Sequence, residues 1–362
     1  MAIMKMRVCS KKRATEELEQ KIAVWKRRWV EIPSISNGAN DSPQSSGGGD
    51  PSIVPKPPPP PKRRRFAIRT DPPSPPPFDI IDNDPHICDA FVHDVYNYLS
   101  SMEVDREKRP LPDYMKSVQN ELTESMRGSV VDWLVTVVEI FCFITDTLYL
   151  TVSYIDRFLS KHAMNEENLQ LLAVCSMRLA SRYEEIRSSH VRHFCHITNK
   201  TYTKEKLMKM EDDVLQYLKY ELGNPTTHTF LSIFITISQE DCEKQDMKLE
   251  FLSNYLAELS LLDYECVRFL PSMVAASAIF LARFTINPEV HPWNPALQNY
   301  TGYQPSVLKD CVLAIHDLQL NRNESSLNAI KDKYVQQKFR CVAQLSSPSE
   351  IPAAYFEDVK KL

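Results

Sequence analysis

The side chains best suited to chemistry are gathered in one short stretch: His190, His193, Cys195 and His196. Imidazole and thiolate are common zinc ligands, and the three histidines fall at i, i+3 and i+6. On a helix that spacing swings the first and last rings about 120° apart, and a zinc site needs four convergent ligands. The stretch therefore reads as polar residues on a short surface helix. No GxGxxG, GxxxxGKS/T, HExxH or GxSxG occurs, and after residue 78 only Gly128, Gly223 and Gly302 remain, too few to build phosphate-cradling loops. The reactive residues point to binding rather than catalysis, with no cofactor and no metal.

The framework that must position them divides by composition. Overall the chain carries 43 Lys+Arg and 47 Asp+Glu, a net charge of −4. Residues 1–78 hold 15 basic and 7 acidic side chains, leaving 28 and 40 for the rest, so a basic tail precedes an acidic body. The tail also holds 14 of the 25 prolines, eleven of them within residues 55–77, a composition expected to stay disordered. Within it lie Lys62, Arg63, Arg64 and Arg65, with smaller clusters at Lys11–Arg13 and Lys26–Arg28. Such clusters serve as nuclear import signals, contact nucleic acid, or simply stay solvated, and composition leaves all three open. Nine cysteines without a CxxC pair, and no apolar leader, suit a reducing intracellular compartment. The longest uncharged apolar stretch, Phe269–Ala282, has 14 residues and includes Pro271, short of a membrane span.

Beyond Asp79 apolar residues recur at helical spacing. Ile87, Phe91, Val95, Tyr98 and Leu99 form one such set, Leu207, Met210, Val214, Leu215 and Leu218 a second, and Leu249, Leu252, Tyr255, Leu256 and Leu259 a third. Residues 130–144 are apolar nearly all round, as expected of a helix central to its domain. Asn165 before two glutamates suits a helix start, while Gly223, Asn224 and Pro225 suit a stop and a linker. The predicted organisation is all-α: a tail over 1–78, a short helix and about five core helices in 79–224, five more in 225–345, and a second tail over 346–362.

Three segments are distinctive enough to name a family: MRGSVVDWLVTV at 126–137, YIDRFLS at 154–160 and LQLLAVCSMRLASRYEEI at 169–186. In order and spacing they resemble the cyclin box, MRxxLVDWLVEV, YIDRFLS and ASKYEEI, continuing into YTKxxLxxMExxVL through Tyr202, Thr203, Lys204, Leu207, Met210, Glu211 and Val214. The segments flanking the box, DPHICDAFVHDVYNYLSSMEVD and RPLPDYM, resemble plant A-type cyclins, and PTTHTFL with ELSLLDYECVRFLPSMVAASAIFLA resembles their second fold.

The resemblance implies two consecutive five-helix cyclin folds and a non-catalytic regulatory subunit that binds and activates a cyclin-dependent kinase, in the nucleus and the cytoplasm or in the nucleus alone. It places kinase contacts at Arg182, where relatives have lysine, and at its partner Glu211, with Tyr183, Phe91 and Tyr98 beside them; packing is the alternative role for the last two. Arg127 and Asp156 correspond to a structural ion pair. A groove for basic-x-leucine segments of substrates and inhibitors maps to Met126, Ser129, Val130, Trp133, Thr136, Val137 and Gln170, with Ser129 in place of a large aliphatic residue and Thr136 in place of a glutamate. The next turn, Ile140, Phe141, Cys142 and Phe143, is apolar where relatives are polar, which makes it either covered or a new sticky surface. The tail segment KRRWVEIPSISN lacks the leucine of a destruction motif, so slow or altered mitotic turnover is expected. Ser42, Ser74 and Ser347 each precede proline. Two rival roles share the fold: a scaffold or inhibitor that binds a kinase without activating it, and a transcription-related binding module. The acidic body disfavours direct nucleic-acid contact.

Overall fold

The computed structural model describes residues 85–186, 190–198, 201–238, 246–322 and 326–358, with side chains from Asp94 onward. Every regular element among them is helical. Helix α1 (Pro85–Glu103) and a single turn, α2 (Tyr114–Ser117), lead into a first unit of α3 (Glu124–Phe141), α4 (Thr145–Leu159), α5 (Glu166–Glu184), α6 (Val191–Ile197) and α7 (Lys204–Tyr217). The second unit is α8 (Thr227–Ser238), α9 (Met247–Leu262), α10 (Pro271–Ile286), α11 (Pro295–Thr301) and α12 (Pro305–Gln319), followed by the short α13 (Ala329–Tyr334). No described helix is long and apolar enough to cross a membrane.

Helix starts follow capping chemistry. Side-chain oxygens of Thr123, Asn165, Thr203 and Asn294 accept from the N–H groups of Met126 (3.2 Å), Asn168 (3.3 Å), Lys206 (3.3 Å) and Leu297 (2.9 Å). Helices α10, α11 and α12 open on a proline, whose missing N–H would have had no helical partner there. The apolar stripes predicted for α7 and α9 face the core, and all five of the named α9 residues are buried.

The centre of each unit lies elsewhere than the all-round apolar stretch suggested. Seven successive residues of α5, Leu171–Met177, are buried, as are nine of α10, Val274–Ala282. Helix α3 occupies the seam: it packs on α4 and α5 of the first unit and on α9 and α13 behind it. An apolar girdle around α3 therefore reflects two partners on opposite sides rather than a central position in one unit.

Two local expectations are overturned. On α1 the inward face carries Tyr96, Leu99 and Glu103, while Val95 is 43% and Tyr98 64% exposed. The helix docks on the second unit through polar contacts that an apolar stripe does not reveal: Tyr96 donates to the Thr301 carbonyl (2.9 Å), and the Glu103 carboxylate accepts from Ser272 N–H (3.0 Å) and Oγ–H (2.6 Å) at the start of α10. Burial holds the Glu103 pKa above the ordinary carboxylate range despite these bonds. At the other site, α7 stops at Tyr217, before Gly223, because Lys219 (φ 53°) and Tyr220 (φ 61°) take the left-handed conformation. Gly223 also lies against the Tyr183 hydroxyl, so a Cβ there would push that tyrosine aside.

The apolar turn at 140–143 is partly covered. Phe141 and Phe143 stack on each other (ring centroids 5.2 Å apart), and Phe141 stacks on Phe194 of α6 at 5.7 Å, leaving Phe141 and Phe143 half-buried and Cys142 exposed.

Candidate functional site

Helix geometry builds the site around one carboxylate. Arg178 and Arg182 are four residues apart on α5 and so share a face, which meets Glu211 of α7. Arg182 Nη1 bonds Glu211 Oε1 at 2.6 Å, and Arg178 pairs with the other oxygen. Glu211 is buried, whereas the Arg182 side chain is 52% exposed and that of Arg178 only 17%. Burial, with the neighbouring Arg182 charge adding to it, holds the Arg178 pKa below the ordinary arginine value. A buried carboxylate thus holds two cations, one inside and one outside. Guanidinium has five N–H donors, so Arg182 keeps several directed at solvent while its position is fixed from behind.

Neighbouring segments pack on the C-terminal end of α5, which carries this arginine. Tyr183 (53% exposed) touches Gly223, Tyr220 (69%) precedes it in the same turn, and the Leu222 carbonyl accepts from Tyr154 Oη at 2.8 Å. Glu185 accepts from Ile144 N–H (2.8 Å) and Thr147 Oγ (2.7 Å), which caps α4 and pins the segment carrying exposed Ile144. Ile186 is fully exposed. An exposed tyrosine adjacent in sequence to a held, half-exposed arginine has the chemistry of an interface anchor.

A second ion pair lies deep between the units. Arg127 of α3 grips Asp156 of α4 with both forks, Nε–Oδ1 and Nη2–Oδ2 each at 2.8 Å. Tyr114 Oη donates to Asp156 Oδ1 (2.8 Å), and the remaining Arg127 Nη1 donates to the Leu261 carbonyl of α9 (2.8 Å). Burial opposes charge on Arg127, but the Asp156 carboxylate overrides it and raises the guanidinium pKa. Burial, reinforced by the same carboxylate, also pushes the Tyr114 phenol up.

The structure brings together Arg182 with Glu211 and Arg127 with Asp156, while Tyr98 lies exposed on α1. The Phe91 side chain and Lys62, Arg63, Arg64 and Arg65 lie outside the described residues. Of the groove positions, Met126, Val130, Trp133 and Val137 are buried, and Ser129, Thr136 and Gln170 half-buried. The Ser129 hydroxyl turns back to the Ser125 carbonyl at 2.9 Å. Beside this face Leu327 presses against Gly128, Ala329 N–H donates to Asp132 Oδ1 (2.8 Å), and Lys338 pairs with Glu139 (3.0 Å). His190 caps α6 through Nδ1, His193 and His196 are exposed, and no metal-binding group of His, Cys, Asp or Glu occurs among the described residues. Sequence reasoning missed Arg178, although its four-residue spacing from Arg182 was a usable signal. It also missed Tyr220, whose exposure arises from a left-handed turn that no periodicity marks.

Comparison with known proteins places these features in a lineage. The model of the cyclin N-terminal domain matches residues 94–223 and that of the cyclin C-terminal domain residues 225–348. Cyclin-A3-1 of Oryza sativa subsp. japonica is 54% identical over 280 residues, covering 77% of this chain and 75% of the relative. The putative cyclin-A3-1 of Arabidopsis thaliana is 52% identical over 277 residues, covering 76% and 78%. A G2/mitotic-specific cyclin of Daucus carota is 50% identical over 277 residues, covering 76% and 81%. Among solved structures, a viral cyclin from herpesvirus saimiri superposes with a TM-score of 0.54 at 20% identity, over 62% of this chain and 96% of that one, a likeness of fold.

Removing one partner of the deep pair leaves a buried charge uncompensated. Asp156→Asn is expected to lower unfolding stability by about 3–5 kcal/mol, read as a fall in the urea midpoint at unchanged slope. A loss below about 1 kcal/mol would show that Arg127 does not depend on this carboxylate.

Proposed function

The chain belongs to the cyclin family, and from that premise we propose that it is the non-catalytic regulatory subunit of a cyclin-dependent serine/threonine kinase, which it binds and activates in the cell cycle. The observation that carries the reading is the Arg178–Glu211–Arg182 cluster, which holds an exposed guanidinium in place next in sequence to the exposed Tyr183. In the family this region packs on the kinase's regulatory helix and moves its glutamate towards the lysine that holds the ATP phosphates. Arg182 supplies fixed donors for backbone carbonyls of that partner, and its anchorage means that little side-chain entropy is lost on binding. Shifting the kinase switch from 1:99 to 99:1 requires a preference of about 5.5 kcal/mol for the active arrangement. An interface centred on Arg182, Tyr183 and Tyr220 has the composition to supply it.

A finer part of the proposal concerns substrate docking. The groove positions on α3 offer little open apolar surface, and Thr136 leaves no carboxylate for a peptide's basic residue. A charge-assisted hydrogen bond is worth about 1.5–3 kcal/mol, so docking of basic-x-leucine peptides is weakened ten-fold or more relative to a glutamate-bearing groove.

Two measurements test these statements. Mixing the purified chain with a monomeric cyclin-dependent kinase and histone, a substrate that needs no docking, is expected to raise phosphorylation strongly, with Arg182→Ala shifting half-activation to at least ten-fold higher concentration. A stable complex without activation would favour the scaffold or inhibitor role, and no complex would favour the transcription-related module. For the groove, Thr136→Glu is expected to tighten a basic-x-leucine peptide at least ten-fold by calorimetry; unchanged affinity would exclude Thr136 as the limiting position.

A further inference from the structure

The last described segment, residues 345–358, forms a strap across the second unit with only one short 3₁₀ turn, Ala353–Phe356. Its far end is anchored: Phe356 is buried and stacks on Phe280 of α10 at 5.4 Å, Tyr355 Oη donates to the Pro288 carbonyl (2.9 Å), and Asp358 accepts from Ser306 N–H at the start of α12 (3.3 Å). Its near end rests on Ser347, which is half-buried between exposed Ser346 and Ser349 and is followed by Pro348.

The surroundings of the Ser347 hydroxyl are specific. It accepts from Thr285 Oγ1 at 3.2 Å and lies 3.2 Å from His316 Nε2. That same nitrogen is 2.9 Å from the Pro348 carbonyl, which can only accept, so Nε2 carries the proton. Thr285 sits in the last turn of α10 and His316 in the last turn of α12, so two helix C-termini, each with partial negative charge, converge on one hydroxyl. Burial keeps the His316 pKa below the usual histidine range, so the ring is neutral near pH 7. Arg322 is the nearby cation, but it is engaged by Asp317 at 2.6 Å and by the Ser349 carbonyl. The pocket suits a neutral hydroxyl and opposes a dianion.

We propose that Ser347 is a modification site for a proline-directed serine/threonine kinase, and that its phosphorylation releases the strap from the second unit. A serine followed directly by proline is the pattern such kinases act on, and a strap without a backbone ladder opens locally at small cost. In the transfer, Ser347 Oγ bonds to the γ-phosphorus of ATP, the bond from that phosphorus to the bridging oxygen breaks, the hydroxyl proton passes to the kinase's base, and ADP departs. The phosphate adds a charge of about −1.5 to −2 beside two helix C-termini, with the nearby Arg322 already engaged by Asp317, an arrangement that disrupts rather than docks. The inference does not rest on the kinase-binding face, because any proline-directed kinase serves as the modifying enzyme.

The test uses the full chain, ATP and a purified mitogen-activated protein kinase, which is proline-directed and needs no cyclin. Mass spectrometry is expected to locate phosphate on Ser347, and amide hydrogen exchange over residues 351–357 is expected to quicken at least ten-fold, equivalent to about 1.4 kcal/mol. Ser347→Ala should block labelling at that position while leaving exchange slow. Phe356→Ala, which frees the far anchor, should speed labelling of Ser347. Absence of phosphate on Ser347 in the intact chain overturns the site. Phosphate on Ser347, introduced enzymatically or encoded as phosphoserine, without faster exchange overturns the release.

Discussion

A guanidinium buried between two helical units can persist only if its charge is fully met, and that requirement organises this molecule. Arg127 has its fork on Asp156 and its spare donor on the Leu261 carbonyl, while Tyr114 completes the carboxylate. Those four residues come from α3, α4, α9 and α2, so the pair fixes how the units meet as well as how the first unit is packed. Satisfaction of this kind adds less to net stability than it adds to geometric definition, because desolvation offsets much of the Coulomb attraction.

The Glu211 cluster applies the same chemistry near the surface with a different outcome. Both sites place a buried carboxylate against arginine, but Glu211 holds two, and only the inner one, Arg178, is largely enclosed. The outer one is thereby positioned without being consumed, which is what a recognition residue needs. Lys219 with Glu107 (2.8 Å) and Lys108 with Glu221 (3.3 Å) tie the turn carrying Tyr220 to the segment after α1. Such exposed pairs add little energy each but restrict how the turn moves.

Much of this was legible in the sequence. The helical class, the cap at Asn165, the buried stripes of α7 and α9, and the positions of Arg127, Asp156, Arg182 and Glu211 follow from spacing and motif. What escaped was set by partners distant in sequence. The inward face of α1 is chosen by Thr301 and Ser272, some two hundred and one hundred and seventy residues away, through polar groups that periodicity ignores. The location of α3 at a seam, rather than at a centre, needs knowledge of both neighbours. Gly223 looked like a helix stop because glycine favours turns, yet the helix ends earlier and Gly223 instead lies against the Tyr183 hydroxyl. The turn at 140–143 had two open fates until Phe194 of α6 was placed beside it.

The central claim is that the kinase meets the chain at the end of α5 and the turn after α7. Amide hydrogen exchange of the full chain, alone and with a monomeric cyclin-dependent kinase, tests this directly. The account expects added protection over residues 178–186 and 217–222, with α9 and α12 unchanged. Protection confined to α3 or to the second unit, with 178–186 unaltered, would contradict it.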